Sequence, residues 1–345
     1  MSHRAETIPG GRICVIFGGG LGDLVALLPS LLALRRTHPK AHIEMLGPSS
    51  WLPLLEQRGY VDRGVSLEAV PLHMLFRPSA AADKNPFFDF LEDLDLIVSW
   101  FGDGEGVFER NLEAVSKGRA HVFPLRNHAR FAGHISEYYL ATLASIGVEV
   151  GTPCYRILPP KGPARARLED ELPGIPLPHP PFVCIHPGSG SPTKNWPLES
   201  FIGVARQIAR RSKPAIVFVL GPAEQEYLRT DRIRADIPSA RIIQEPSICG
   251  LATLFEHSLL YVGNDSGPTH LAAATGAPTI ALFGPTSPER WGPRGPQVRV
   301  IERDIPCRPC TSEAARACAK RRCLTDITPE TVLEVAVSLL GSRPE

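Results

Sequence analysis

The 345-residue chain lacks an excess of either charge. Lys and Arg number 37 and Asp and Glu 36, a formal net charge of +1. Chains that hold nucleic acid normally carry a basic excess, so this balance argues against such a partner. A long apolar run is also missing. The longest, Leu24 to Leu34, is interrupted by Pro29 and Ser30 and is too short to span a bilayer. The start, MSHRAETIPGGR, is polar, and the apolar run after it covers only Ile13 to Phe17, unlike a secretory signal. These absences predict a cytoplasmic protein with at most peripheral contact at the inner membrane. There is no short repeat, and no low complexity outside one proline-rich stretch.

Apolar material is plentiful. Hydrophobic residues make up 43% of the chain, enough for two cores at this length. Ile13–Phe17, His42–Leu46, Leu94–Trp100, Phe182–Ile185, Ala215–Leu220, Leu259–Val262 and Thr279–Phe283 read as strands. Leu198–Arg211 and Pro268–Thr275 read as helices between them. Strands alternating with helices imply βαβ units and parallel sheets, and strands apolar throughout are covered on both faces. Eight prolines between Leu158 and Pro181 mark a linker. The expected division is a first domain over 1–160, a linker over 161–181, a second domain over 182–328, and a final helix and tail over 329–345.

Each half opens with a strand and a glycine-rich turn. The first is GGGLGD, Gly18 to Asp23. It fails the dinucleotide fingerprint, because the third glycine position falls on Asp23 or Val25, and no Gly-Lys-Ser/Thr follows. An aspartate at the mouth of this helix competes with phosphate for the same amides. Two roles stay open for Asp23. It can be a first-turn acid, worth ~0.5–2 kcal/mol to the helix. It can also be a general base at the mouth of a cleft, with glycines that let another molecule approach.

The second half offers an anion site. HPGSGSPTKNWP, His186 to Pro197, follows a strand and supplies loop amides, the hydroxyls of Ser189, Ser191 and Thr193, and the mobile cation of Lys194. A plain connection with a surface lysine would look similar. In VGNDSGPTHLAAATGAP, Val262 to Pro278, a helix is expected from Pro268, with free amides at Thr269 and His270 aimed at an anion. A capped core helix is the alternative. Asp265 suits sugar hydroxyls better than phosphate. Glu224, in VLGPAEQEY, can accept from ribose hydroxyls or serve as a solvated helix acid.

These segments, in this order, resemble the lipopolysaccharide heptosyltransferase family, glycosyltransferase family nine. GNDSGPTHLAAATGAPTIALFGPTSPERW is the most specific match, and Trp51 to Val150 matches weakly. The resemblance implies the GT-B fold: two Rossmann-like α/β domains whose parallel sheets face a central cleft. It also implies inverting, metal-independent transfer of a heptose from ADP-heptose to a lipid-linked or oligosaccharide acceptor of the lipopolysaccharide-core type. By this likeness Asp23 is the base. Ser189, Ser191, Thr193, Lys194, Ser266, Gly267, Thr269 and His270 hold the diphosphate, Asp265 the donor sugar and Glu224 the ribose.

The family's acceptor segment is replaced here by VSWFGDGEG. Gly20, Asp103, Arg126 and Arg130 are the acceptor candidates, the arginines suiting an anionic group. Cys307, Cys310, Cys318 and Cys323 form a C-x2-C-x7-C-x4-C array that can hold a structural zinc, form disulfides or stay reduced. A transferase using another nucleoside diphosphate sugar, or a non-catalytic nucleotide-sugar-binding protein on the same fold, would keep most of these features.

Overall fold

The computed structural model describes residues 10–78, 85–126, 131–161, 172, 181–221 and 230–341. The chain divides into two compact units. One comprises Met1–Cys154 and Leu158–Pro163, the other Tyr155–Ile157 and Ala164–Glu345.

The first unit holds a five-stranded sheet of β1 (Arg12–Phe17), β2 (His42–Gly47), β3 (Arg63–Ser66), β4 (Leu96–Trp100) and β5 (Ala120–Val122). Their order is β3-β2-β1-β4-β5. Every pair is parallel, with Ile13 opposite both Ile43 and Leu96. In β1, Ile13 to Phe17 are all buried, as expected of a central strand covered on both faces. Helix Leu21–Thr37 follows β1 and is buried from Asp23 to Leu34, with Pro29 inside it.

The second unit repeats the plan with β6 (Phe182–His186), β7 (Ala215–Leu220), β8 (Arg241–Gln244), β9 (Leu260–Asn264), β10 (Thr279–Phe283) and β11 (Val298–Glu302). The order is β11-β10-β9-β6-β7-β8, again parallel throughout. Helix Leu198–Ser212 and the final helix Pro329–Gly341 pack on each other. Phe201, Ile208, Val332 and Ala336 are among their core residues. Each buried Phe, Ile or Val side chain among them contributes roughly 1.5–3 kcal/mol by leaving water.

The seven expected strands are all present. β3, β5, β8 and β11 were not legible. They are short, lie at or next to sheet edges and mix polar with apolar residues, so neither alternation nor an apolar run marks them.

The strand order turns back between β1 and β4 in one unit and between β6 and β9 in the other. Open α/β sheets hold ligands at the carboxyl ends of strands beside that switch point. Both glycine-rich turns lie there. Among the described residues no helix is long and apolar enough to cross a membrane.

Candidate active site

At the end of β1 the glycines serve the protein's own packing first. A Cβ on Gly18 would clash with the Phe101 ring. One on Gly19 would come 2.7 Å from both Asp23 Cβ and the Phe17 ring. The expectation that these two glycines admit another molecule is therefore corrected. Only at Gly20, the residue ahead of the helix, is the nearest atom, Asp23 Oδ2, as far as 3.8 Å.

Asp23 is 6% exposed. Its Oδ2 accepts the Gly20 N–H at 3.1 Å, so the helix-capping role is real. The same oxygen accepts from Arg126 Nη2 at 2.5 Å, while Oδ1 accepts from Arg126 Nε at 3.2 Å. This edge of the Arg126 fork faces Asp23 instead of waiting for an acceptor. The Asp23 hydrogen bond holds the Arg126 pKa above its ordinary value, against the opposing effect of burial.

Asp103 is also accounted for locally. Its carboxylate accepts the N–H groups of Val107 at 2.9 Å and Phe108 at 3.1 Å, capping helix Val107–Val115. The sequence left its role between an acceptor contact and a solvated acid; the structure adds this capping role. Arg130 and Glu224 lie outside the described residues.

In the second unit, residues after β6 and β9 meet. Lys194 Nζ lies 3.2 Å from Asp265 Oδ2, the Thr286 hydroxyl donates to that oxygen at 2.7 Å, and His270 Nε2 is 3.9 Å from Oδ1. Burial of Asp265 favours the neutral acid. The neighbouring His270, Lys194 and Thr286 outweigh it and hold the pKa down at about 2. The result is a buried carboxylate favoured in its ionised form beside the Lys194 ammonium.

The loop before Lys194 divides into two parts. Ser189 is buried, and its Oγ lies 2.6 Å from both the Ser191 carbonyl and Asn195 Oδ1. It shapes the loop and is withdrawn as a phosphate ligand. Ser191 and Thr193 pair hydroxyl to hydroxyl at 2.8 Å and are more accessible.

The following helix starts at Gly267, one residue earlier than expected, with Pro268 second. The Thr269 and His270 amides both donate to the Ser266 carbonyl, at 3.1 and 3.2 Å. They are not free for an anion. Thr269 is fully buried, with its hydroxyl donating to the Asn264 carbonyl at 2.5 Å. Pro268 has no N–H, so Gly267 carries the amide that this turn can offer a ligand.

Three residues that the sequence did not single out support this site. Asn264 ends β9 fully buried; its Nδ2 donates to Pro187 O at 2.8 Å and its Oδ1 accepts from Trp196 N at 2.9 Å. It fastens the β6 loop to β9. Thr286 holds Asp265. Arg308 donates to the Thr286 carbonyl at 2.8 Å and the Arg303 carbonyl at 2.7 Å. An Asn ahead of an Asp-Ser-Gly turn is the one signal that could have pointed to Asn264; nothing local marks Arg308.

Cys307, Cys310, Cys318 and Cys323 are free thiols lining one cavity of about 210 Å³. Cys310 Sγ donates to the Cys307 carbonyl at 3.2 Å, and Cys318 Sγ accepts from Arg321 N at 3.4 Å. Among the described residues no three His, Cys, Asp or Glu gather as a metal-holding set. The four thiols thus share one cavity, with two sulfurs turned to backbone partners. The same segment braces the site, since Arg321 Nη1 donates to Pro192 O at 3.0 Å.

Comparison with known proteins identifies relatives of this chain. Lipopolysaccharide heptosyltransferase 1 of Pseudomonas aeruginosa is 33% identical over 146 residues, which is 42% of this chain and 39% of that protein. The chain thus spans well under two thirds of that relative's length. Two solved structures share the fold at 20% identity. One is a family 9 glycosyl transferase of Veillonella parvula, with a TM-score of 0.78 over 99% of this chain and 100% of that one. The other is the E. coli ADP-heptose LPS heptosyltransferase II, with a TM-score of 0.70 over 95% and 98%. Their two-domain GT-B architecture is the fold of this chain. The model of glycosyltransferase family 9 (heptosyltransferase) matches residues 139–320, more than half of the chain and all of the Lys194, Asp265 and His270 set. The chain belongs to glycosyltransferase family 9, the heptosyltransferase family.

Proposed function

We propose that the chain is an inverting, metal-independent glycosyltransferase that moves a heptose-type sugar from ADP-heptose to a hydroxyl of a lipopolysaccharide-core or related glycan. The observation that carries this reading is the Lys194–Asp265 pair beside His270, formed at the ends of β6 and β9. Family membership and the likeness to an ADP-heptose enzyme support the donor.

In this mechanism the Asp23 carboxylate takes the proton of the acceptor hydroxyl. The hydroxyl oxygen attacks the anomeric carbon, and the bond from that carbon to the diphosphate oxygen breaks on the opposite face. ADP leaves with the bonding electron pair. A diphosphate would draw the Lys194 ammonium from Asp265, and Lys194 with the Gly267 amide would stabilise the charge that grows on the leaving oxygen. Ser191, Thr193 and Ser266 offer hydroxyls to the phosphates. Asp265, left ionised, accepts from the sugar's hydroxyls, and Glu224 from the ribose. Lysine and helix end supply the positive field that a metal ion supplies elsewhere.

Thermal-shift titration with ADP, UDP, GDP and CDP tests the donor side, because a ligand that binds the native state raises the melting temperature. ADP should stabilise wild type and Asp23→Asn equally and Lys194→Ala much less. ADP-heptose turnover should fall by roughly 10²–10⁴ in Asp23→Asn. Preference for UDP or GDP would replace the donor. ADP binding with no turnover in wild type would favour the non-catalytic binding protein.

A further inference from the structure

A base is useful only if one oxygen of its carboxylate is presented in a fixed direction. The two oxygens of Asp23 are held unequally. Oδ2 takes the Gly20 N–H at 3.1 Å and Arg126 Nη2 at 2.5 Å; among the described residues Oδ1 takes only Arg126 Nε, at 3.2 Å. Oδ2 is thus the anchored oxygen, and Oδ1 keeps lone-pair capacity for a further donor. The bidentate fork also fixes the carboxylate plane, which the single Gly20 contact cannot do.

Arg126 is itself placed by the fold. It comes four residues after β5. The Tyr138 hydroxyl donates to Pro124 O at 2.6 Å and the Tyr139 hydroxyl to Leu125 O at 3.1 Å. The two carbonyls just ahead of Arg126 are therefore pinned to helix Ile135–Ser145. That helix packs on helix Leu21–Thr37, which carries Asp23. Tyr139 is fully buried against Phe17 and Trp100, with ring centroids 5.9 and 5.7 Å away.

We propose that Arg126 is the positioning residue of Asp23: it fixes the carboxylate so that Oδ1 receives the proton of the attacking hydroxyl, and Tyr138 and Tyr139 hold Arg126 in place. The inference deepens the transferase reading and rests on it. In the step, the proton moves from the attacking oxygen to Oδ1, the attacking oxygen bonds to the anomeric carbon, and ADP departs with the electron pair. Arg126 stays protonated throughout and touches no reacting atom.

The experiment measures ADP release from ADP-heptose with water as the attacking species, so no acceptor need be known. Arg126→Ala should lose about a hundredfold in kcat, the scale of a misplaced catalytic group, with KM for ADP-heptose unchanged. Methylguanidinium at constant ionic strength should restore part of the rate, and methylammonium should not. Arg126→Lys, which keeps the charge without the fork, should stay slow. Tyr138→Phe/Tyr139→Phe should lower kcat less, again without moving KM. Melting temperatures of Asp23→Asn, Arg126→Gln and the double variant give a second readout, and the two changes should be strongly non-additive. Wild-type kcat in Arg126→Ala, equal rescue by methylammonium, or additive melting temperatures would overturn the inference alone. A wild type that neither turns over ADP-heptose nor is stabilised by ADP would sink the transferase reading and this inference with it.

Discussion

At Asp265 a single carboxyl feels opposing forces. Burial raises its pKa, while His270, Lys194 and Thr286 pull it down from 3.8 to about 2. A depressed carboxylate stabilises the fold above its unfolded pKa and loses that contribution as pH falls through the folded value. The window here runs from about 4 down to about 2, and the contribution is about 2 kcal/mol at neutral pH. Urea unfolding of wild type between pH 5 and 2 should therefore show a steeper loss of stability than Asp265→Asn. Equal slopes would mean that the charged form is not favoured. The Thr286 hydroxyl, 2.7 Å from the same carboxylate, makes a charge-assisted bond. Thr286→Val should weaken ADP-heptose binding roughly tenfold, as expected for losing a bond to a charged group. Calorimetric titration measures it, and unchanged affinity would remove Thr286 from the site.

Elements explain what the sequence does and does not disclose. The central strands and the helices that follow them were legible, because runs such as RICVIF and AIVFVL are apolar throughout and glycine-rich turns end several of them. The candidate donor residues were legible as residue types beside those turns. Their partners were not. Asp23 reads first as a cap and only second as a base, and Arg126 lies 103 positions away, joined to it only once β5 and helix Ile135–Ser145 are in place. The free amides expected at Thr269 and His270 failed for a local reason: the helix begins at Gly267, so both are already satisfied by Ser266. Asn264 shows how much one buried amide can join. It ties β9 to two segments of the β6 loop, and Asn264→Ala would leave the Trp196 amide without its acceptor. The cost should be about 2–4 kcal/mol, read by urea denaturation. A change under 0.5 kcal/mol would show that the loop is held by other means.

Across the whole molecule, thiols offer a graded set of reporters. Cys14 and Cys184 sit fully buried in central strands, and burial pushes both well above the ordinary thiol pKa. Cys307 is exposed. Since the thiolate is the reactive form, iodoacetamide labelling followed by peptide mass spectrometry should mark Cys307 first. Cys14 and Cys184 should react only after global unfolding. Early labelling of either strand cysteine would mean that its sheet opens locally.

The path of the chain between its units limits how the gene can be divided. Tyr155–Ile157 belongs to the second unit, with the Ile157 amide donating to Ala274 O at 2.8 Å, while Leu158–Pro163 returns to the first. The Leu158 amide donates to Tyr60 OH at 3.0 Å, and the Lys161 amide to Gln57 O at 2.7 Å. Neighbouring residues thus answer to different units. A split-protein design with one breakpoint always leaves a strip of one unit on the fragment of the other. A cut after Cys154 strips the first fragment of the partners of Tyr60 and Gln57. A cut after Pro163 deprives the second fragment of the segment that caps Ala274.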